Sequence, residues 1–180
     1  LAALLEEFQE DYDFLAIPPA TLKTMSYPQL LSLLCTRDAL DDAGLLCSDF
    51  DREKAGVFVA ATAGCDVAEA QCESFGTRRI FHRLRGLTED GEKNDLEGLF
   101  QRYLEKFPDY ALTPDSLPGR STHLVAGRIA WAFDLHGPNI TIDAACASSL
   151  AAIDCGVNSL RTGECDLVVS GGVDTWMTAD

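Results

Sequence analysis

The amino-acid sequence predicts an α/β fold in which helices cover a largely parallel central sheet. The runs at residues 56–61 and 166–170 have the short apolar pattern of strands that are buried on both faces. The run at residues 139–144 alternates apolar and polar side chains, which is the pattern of a third strand. Segments with helical periodicity separate the three runs, and this order of elements is typical of a layered α/β architecture.

Helices are predicted between these strands. Residues 28–43 carry leucines at spacings of three and four, and Gly44 can end that helix. Residues 96–104 have an amphipathic pattern, and Pro108 follows them. The segment that starts at Thr62 mixes charged and aromatic residues, so we expect it to be less regular.

Prolines, glycines and a serine mark boundaries in the second half. Pro118-Gly119 predicts a loop, and Ser121 is suited to cap the N-terminus of a helix over residues 124–133. After the last strand, Gly171-Gly172 predicts a tight turn.

Charge and composition disfavour several classes of protein. The formal net charge of −15 disfavours binding to nucleic acid, which requires clustered Lys and Arg. No apolar run reaches the ~20 residues of a membrane span, and no basic-then-apolar leader is found. The seven cysteines are odd in number and form no C-x-x-C pair, so we expect reduced thiols in a cytoplasmic setting, without structural zinc or a disulfide framework.

The most informative stretch has Cys146 at its turning point. The strand over residues 139–144 precedes it, and from Ala147 the pattern becomes helical. Gly163 suits the position after the last helical turn. The apolar residues of this helix recur at spacings of three and four: Leu150, Ile153, Val157 and Leu160. Cys146 is therefore predicted to lie where a buried strand turns sharply into a helix.

That position would make the thiol of Cys146 reactive. A helix N-terminus carries about half a positive charge, which favours thiolate over thiol. Free backbone N–H groups there, including that of Cys146, can stabilise the oxyanion that forms when a thiolate attacks a carbonyl. Ser148 and Ser149 are expected to supply hydroxyls to the first turn. The alternative is a buried and inert cysteine, and the residues alone leave both interpretations open.

His123 and His136 are possible catalytic partners of Cys146. Isolated histidines in such segments are more often structural or simply exposed, and that is what we expect of both.

The sequence I-D-A-A-C-A-S-S-L around Cys146 resembles the nucleophile motif of β-ketoacyl synthases. Gly137-Pro138 before it and G-E-C-D-L-V-V-S-G-G-V-D from Gly163 extend the resemblance. These proteins are the condensing enzymes of fatty-acid and polyketide assembly, in the thiolase-like superfamily. Their commoner wording is D-T-A-C-S-S-S-L, so Ala144 and Ala147 replace a Thr and a Ser. Both replacements are small and leave Cys146 in register.

The resemblance implies a thiolase-like layered α-β-α-β-α sandwich. Residues 1–180 would be part of a single β-ketoacyl synthase N-terminal domain and would form most of the first half of this sandwich. The usual N-terminal Gly-rich strand and the second half are not in this sequence, so we expect a fragment truncated at both ends. The catalytic histidines of the family belong to later H-G-T-G-T and N-x-G-H segments, which this sequence lacks.

The activity implied by the resemblance is a decarboxylative Claisen condensation. Cys146 would be the nucleophile that accepts an acyl group from the phosphopantetheine of an acyl carrier protein, and a malonyl-carrier substrate would then extend that group. No cofactor or metal is expected to bind this segment itself. The resemblance also implies a homodimer that pairs the strand at residues 140–143 across a two-fold axis.

Other activities are weighed against this one. A non-catalytic chain-length-factor partner typically replaces the nucleophile, whereas Cys146 is present. A thiolase acting on coenzyme A thioesters usually has its cysteine near the chain start, in a different wording. A cysteine hydrolase would need His and Asn or Asp presented to the thiol, and the sequence offers no distinctive candidates.

Pro28-Gln29 bears on the pathway because it resembles the P-Q helix start of the family. The Arg and Glu that often follow in modular polyketide enzymes are missing here. Their absence favours the iterative enzymes that make polyunsaturated fatty acids or glycolipid chains.

A basic cluster is a possible docking patch for an acidic carrier protein. Most charge runs are solvated faces without a specific partner, and that interpretation is favoured. The cluster consists of Arg78, Arg79, Arg83 and Arg85.

Overall fold

A computed structural model describes residues 17–62, 66–88, 93–106, 114 and 116–175 of the protein. Its centre is a three-stranded parallel sheet with the order β2-β1-β3. The strands are β1 (Ala55–Ala61), β2 (Asn139–Ile142) and β3 (Leu167–Val173). The α/β class and the parallel sheet predicted from the sequence are therefore confirmed for the described residues.

Helices connect and cover the strands. They are α1 (Pro19–Leu22), α2 (Tyr27–Asp42), α3 (Asp66–Leu87), α4 (Lys93–Lys106), α5 (Ser116–Arg120), α6 (Leu124–Ala132) and α7 (Ser148–Thr162). Short 3₁₀ turns precede β1 and α7, at Arg52–Lys54 and Ala145–Ala147.

Strand β1 lies at the middle of the sheet, and every one of its residues is buried. Its alternate side chains face opposite layers, as the period of a strand requires. Val57 and Val59 belong to an apolar core with α2 and α6, which contribute residues such as Leu33 and Ile129. The other face of β1 carries Phe58 and Ala60, and α7 covers that face. The described residues thus form three layers, with helices on both sides of the sheet.

Helix α7 contacts the sheet through small residues rather than through its apolar stripe. Ala152 and Gly156 are buried, and a Cβ placed on Gly156 would lie 2.7 Å from Cγ1 of Val168. The stripe predicted from the sequence lies largely outside this contact: Leu150 is 72% exposed, and Ile153 and Leu160 are also exposed. Small residues permit a close approach of the helix to the strands, and this approach, rather than hydrophobic periodicity, decides which face turns inward.

The prediction that the strand before Cys146 is buried is wrong. Strand β2 exists in the predicted place, but it pairs only with β1 among the described residues and lies at the edge of the sheet. Ile140 is 48% exposed. Thr141 is turned toward α6, since its hydroxyl accepts a hydrogen bond from the Ala126 N–H at 3.1 Å and donates to the His123 carbonyl at 3.1 Å.

The predictions for α2 and α4 are confirmed. Residues 63–65, at the start of the segment predicted to be less regular, lie outside the described residues, and from Asp66 onward that prediction is wrong. Helix α2 ends at Asp42, and Gly44 has a left-handed φ of 68°. Helix α4 covers residues 96–104, whereas Pro108 lies outside the described residues. Instead of an irregular segment, α3 is a continuous helix, stabilised where the described Phe81 ring stacks on Phe100 of α4 at 4.0 Å between centroids.

The Pro118-Gly119 loop is also a wrong prediction, because these residues lie within α5. Gln29, buried at the start of α2, holds the segment by donating from Nε2 to the Pro118 carbonyl at 2.9 Å and the Ser121 carbonyl at 3.2 Å. Gly119 packs so closely on Thr24 that a Cβ there would overlap its carbonyl group. Tertiary hydrogen bonds therefore order a segment whose local sequence favours a loop.

Two further predictions of local structure are corrected. Ser121 does not cap α6: its hydroxyl donates to the Leu117 carbonyl at 2.8 Å, and His123 occupies the N-cap position. Gly171-Gly172 does not form a turn but continues β3, where Gly172 pairs with Ala60. The pairing partner that β1 provides keeps this glycine pair extended.

A cluster of charges joins the segments at the amino end of the sheet. The backbone N–H of His136 donates to the Arg52 carbonyl at 2.8 Å. The imidazole ring of His136 contacts the carboxylates of Glu53 at 3.0 Å and Asp134 at 2.8 Å. The hydrogen bond to Asp134 and then the charge of Glu53 raise the pKa of His136, and the same hydrogen bond lowers the pKa of Asp134.

We expect Gly156→Ala to lower the free energy of unfolding by about 1–3 kcal/mol, because the new Cβ would collide with Val168 and push α7 from the sheet. Gly76→Ala is the matched control, since Gly76 also lies in a helix but has no atom within 4 Å of its Cβ position. That control should be neutral or stabilising by up to about 1 kcal/mol. Urea unfolding measures both, and an equal effect at the two positions would contradict the packing described.

We expect His136→Gln to destabilise the protein more at about pH 5.5 than at about pH 8.5. A raised pKa means that protonated His136 stabilises the folded state below its unfolded pKa, and that this contribution is lost as the pH rises through the folded pKa. Chemical unfolding at both pH values measures the difference. Equal destabilisation at the two pH values would contradict the stabilising contacts of protonated His136 with Asp134 and Glu53.

Candidate active site at the start of helix α7

Cys146 lies at the carboxyl end of the sheet. Strand β2 ends at Ile142, the 3₁₀ turn Ala145–Ala147 follows, and α7 begins at Ser148. The side chain of Cys146 is exposed. The predicted position between a strand and a helix is confirmed, with the 3₁₀ turn as an additional element that the sequence did not predict. The carboxyl edge of a parallel sheet is where α/β proteins commonly place their functional groups.

The turn before Cys146 has an unusual backbone. Ala145 has a φ of 50°, in the left-handed region that costs a residue with a Cβ roughly 1–3 kcal/mol. The Asp143 carboxylate accepts a hydrogen bond from the Ala145 N–H at 3.0 Å, which is the two-residue reach typical of an Asp turn. The left-handed conformation makes the chain turn sharply at Ala145, and Cys146 lies exposed on the outside of this turn.

Ser148 closes this turn from the helix side. Its hydroxyl accepts a hydrogen bond from the Ala144 N–H at 2.7 Å and donates one to the Ala145 carbonyl at 2.6 Å. Ser148 is 6% exposed. The expectation that Ser148 and Ser149 supply hydroxyls to the first helical turn is therefore wrong for Ser148, because its hydroxyl binds residues before the helix. The N-terminus of α7 has no side-chain cap.

The backbone N–H of Cys146 has no hydrogen-bond partner among the described residues, whereas its neighbours are engaged. Ala145 donates to Asp143, and Ala147 donates to the Ala144 carbonyl at 3.1 Å. An exposed thiol therefore lies beside its own free N–H group at the positive end of α7. A donor in this position can bind the oxygen of a carbonyl that the sulfur attacks.

The carboxyl ends of the other two strands lie beside this turn. A Cβ on Gly172 of β3 would overlap the Ser149 hydroxyl and would lie 3.2 Å from Cβ of Ala60. Just beyond the strands, the Thr62 hydroxyl donates to the Asp174 carboxylate at 3.0 Å, joining the ends of β1 and β3. These contacts hold the start of α7 against the edge of the sheet.

Neither candidate histidine contacts Cys146 in the described structure. His136 lies at the amino end of the sheet, and the seven residues of β1 separate the two ends by on the order of 20 Å. His123 is exposed at the N-cap of α6. The structure thus gives His136 a role in joining segments, as expected of a structural histidine.

The basic cluster lies on α3. Arg79, Arg83 and Arg85 are exposed, and Arg78 is half-buried. Exposure is compatible with a solvated helix face and with a docking surface, so both interpretations stay open.

The described ranges contain neither a metal-binding cluster nor a membrane span. No group of three or more His, Cys, Asp or Glu side chains in them is placed to hold a metal ion. None of the helices described has the length and apolar character needed to cross a membrane. Five cysteines whose side chains are described carry free thiols: Cys35, Cys47, Cys146, Cys155 and Cys165, of which only Cys165 is buried.

Comparison with known proteins places the chain in a family. Residues 2–180 match the family described as beta-ketoacyl synthase, N-terminal domain. The chain belongs to this family. The resemblance drawn from the residues around Cys146 is thereby confirmed, and it extends over almost the whole sequence.

Curated relatives of this ketosynthase chain come from several kinds of synthase. It is 34% identical to the reducing polyketide synthase ppsB of Aspergillus oryzae over 94% of the chain. It is 31% identical to a polyunsaturated fatty acid synthase of a Thraustochytrium species over 82% of the chain. It is 32% identical to the pikromycin polyketide synthase component PikAII of Streptomyces venezuelae over 93% of the chain. The matched regions span only 6%, 5% and 4% of those relatives.

These relatives include polyketide synthases and a polyunsaturated fatty acid synthase at similar identity. The pathway suggested by the residues after Pro28-Gln29 therefore stays a prediction.

The sequence alone does not reveal which residues shape the turn before Cys146. Asp143 was assigned to the strand, and Ser148 to the first turn of the helix. An Asp two residues before the left-handed Ala145 and a Ser three residues after it are weak signals, because both residue types are common near helix starts. Only the backbone conformation of Ala145 shows that both side chains bind the same turn.

Proposed function

We propose that this chain carries the acyl-accepting nucleophile of a β-ketoacyl synthase, and that Cys146 is that nucleophile. The single observation that carries the proposal is the exposed Cys146 thiol beside its own free N–H at the start of α7. The substrate would be an acyl thioester on the phosphopantetheine of an acyl carrier protein. Membership of the ketosynthase family supports this substrate class.

The first half-reaction is acyl transfer to sulfur. The Cys146 thiolate attacks the carbonyl carbon of the thioester, and the carbonyl oxygen becomes an oxyanion that the Cys146 N–H can bind. The bond between the carbonyl carbon and the carrier sulfur then breaks. The phosphopantetheine thiolate leaves and takes a proton from solvent, and the acyl group stays on Cys146.

The second half-reaction joins this acyl group to a malonyl-carrier substrate. Loss of carbon dioxide from the malonyl group produces an enolate, whose carbon attacks the acyl carbon on Cys146. The bond between that carbon and the Cys146 sulfur breaks, so the β-ketoacyl carrier is released and the Cys146 thiolate is restored. In the resembling enzymes two histidines support this step, and their H-G-T-G-T and N-x-G-H segments are absent from the sequence. The residues described at the start of α7 belong to the acylation step.

The larger architecture is also a proposal. The exposed apolar stripe of α7, with Leu150 and Ile153 at its centre, supports a further layer on that helix, as in the five-layered sandwich of the thiolase-like fold. The open edge of β2, with its exposed Ile140, supports the homodimer expected from the family resemblance. We also propose that the partner of this chain is an acyl carrier protein and that it acts in the cytoplasm.

Two alternative functions make different use of Cys146. A chain-length-factor partner would be non-catalytic, so its cysteine would have no reason to be exposed beside a free N–H. A thiolase would take acyl groups from coenzyme A and condense them without decarboxylation. The polyketide and polyunsaturated fatty acid synthases among the relatives favour the ketosynthase over the thiolase.

Incubation of the chain with hexanoyl-N-acetylcysteamine should add a single hexanoyl group, detected by intact mass. We expect Cys146→Ala to abolish the adduct, because the nucleophile is removed. Cys155→Ala is the matched control, since Cys155 is exposed on the same helix but lies away from its N-terminus. An adduct that survives Cys146→Ala, or its absence from the wild-type chain, would contradict the assignment of the nucleophile.

The chain by itself should not release a β-ketoacyl product from hexanoyl- and malonyl-carrier substrates, because the histidine segments that support decarboxylation are absent. Mass spectrometry of the carrier measures the product. A full-length ketosynthase domain is the positive control. Product formation by the chain alone would show that other residues perform the decarboxylation.

A further inference from the structure

Ser148 connects both sides of the turn that presents Cys146. Through one hydroxyl it accepts from the Ala144 N–H at 2.7 Å and donates to the Ala145 carbonyl at 2.6 Å. The hydroxyl is largely shielded from water, since Ser148 is 6% exposed. The residue thus bridges the peptide group that joins Asp143 to Ala144 and the peptide group that joins the left-handed Ala145 to Cys146.

We propose that Ser148 is a positioning residue that aims the Cys146 N–H at the oxyanion of the acyl-transfer step. This inference rests on the proposed function of Cys146 and adds to it the residue that controls its geometry. Ser148 touches neither the acyl group nor the sulfur. It acts through the peptide that joins Ala145 to Cys146, because that peptide carries both the carbonyl that Ser148 binds and the N–H that faces the substrate.

The geometry of one peptide explains why this matters. The Ala145 carbonyl and the Cys146 N–H belong to the same planar unit, so a rotation of one rotates the other. The Ala145 carbonyl accepts from the Ser148 hydroxyl at 2.6 Å and also from the Ser148 backbone N–H, and these two hydrogen bonds together fix the direction of the Cys146 N–H. The Asp143 carboxylate holds the preceding Ala145 N–H at 3.0 Å, so the left-handed residue is restrained on both of its peptide groups.

A role in positioning differs from a role in stability alone. Acyl transfer from a thioester builds negative charge on an oxygen, so its rate depends on the aim of the N–H group. Alkylation by iodoacetamide displaces iodide from a saturated carbon and builds no oxyanion. Both reactions use the same Cys146 sulfur, so the ratio of their rates reports on the N–H group and not on access to the thiol.

The experiment measures both rates at Cys146 in the 180-residue chain, using hexanoyl-N-acetylcysteamine and iodoacetamide. We expect Ser148→Ala to lower the acylation rate about 30-fold, which is less than the roughly 100- to 1,000-fold loss on removal of an oxyanion donor, because the Cys146 N–H is kept and only its direction changes. Its alkylation rate should stay within about twofold of wild type, because the thiol remains exposed. Thr162→Ala is the control, because it removes an exposed hydroxyl at the opposite end of α7, and it should change neither rate. Ser148→Thr keeps the hydroxyl and should recover most of the lost acylation.

Hydrogen exchange in the wild-type chain provides a second measurement that does not depend on the folding of a variant. The Ala144 N–H should exchange at least about tenfold more slowly than the free Cys146 N–H, because the former is bonded to a buried hydroxyl. Equal exchange of the two amides would overturn the proposal. An unchanged ratio of the acylation rate to the alkylation rate in Ser148→Ala would also overturn it, whether both rates fall equally or neither rate falls. Failure of wild-type Cys146 to accept the hexanoyl group, with alkylation intact, would refute the proposed function itself and this inference with it.

Discussion

The close contact between α7 and the sheet determines where Cys146, the proposed nucleophile, can lie. Gly156 allows the helix to approach Val168 at a distance that no side chain would permit, and Gly172 does the same beneath Ser149 at the helix start. The helix is thereby held at two points along its length against β1 and β3. Since packed interiors tolerate little rearrangement, the N-terminus of α7 is fixed at the carboxyl edge of the sheet. Cys146 lies in the 3₁₀ turn that leads into the helix, and its position is therefore fixed as well.

The turn that carries Cys146 combines conformational strain with local hydrogen bonds that offset it. Ala145 adopts a left-handed conformation that a residue with a Cβ rarely takes. Asp143 binds its N–H, and Ser148 binds its carbonyl, so both polar groups of the strained residue are satisfied. The result is an exposed sulfur next to a free N–H, with the helix dipole behind them. Strain at a site that the surrounding structure restrains on all sides is typical of functional positions.

Two apolar or open surfaces have no partner among the described residues. The apolar stripe of α7 and the open edge of β2 are both exposed, and each would be costly to leave in water without a partner. The relatives are much longer than the matched region, which spans 6% of the reducing polyketide synthase of Aspergillus oryzae. The formal net charge of the chain is −15, yet three arginines of α3 are exposed: Arg79, Arg83 and Arg85. These features agree with the proposal that Cys146 works together with components outside the described residues.

The sequence by itself determined the α/β class, the central buried strand β1, the helix α2, and the position of Cys146 between a strand and a helix. These follow from periodicity and from residues such as Gly44 and Gly163, whose effects are local. It also determined the family, because the wording around Cys146 is specific. Tertiary structure alone decided that β2 is an edge strand, that Gly171-Gly172 continues β3, and that the small face of α7 turns inward. Each of these depends on which element lies alongside, and no local pattern records its neighbours. The same holds for Ser148, whose partners were decided by the conformation of one alanine.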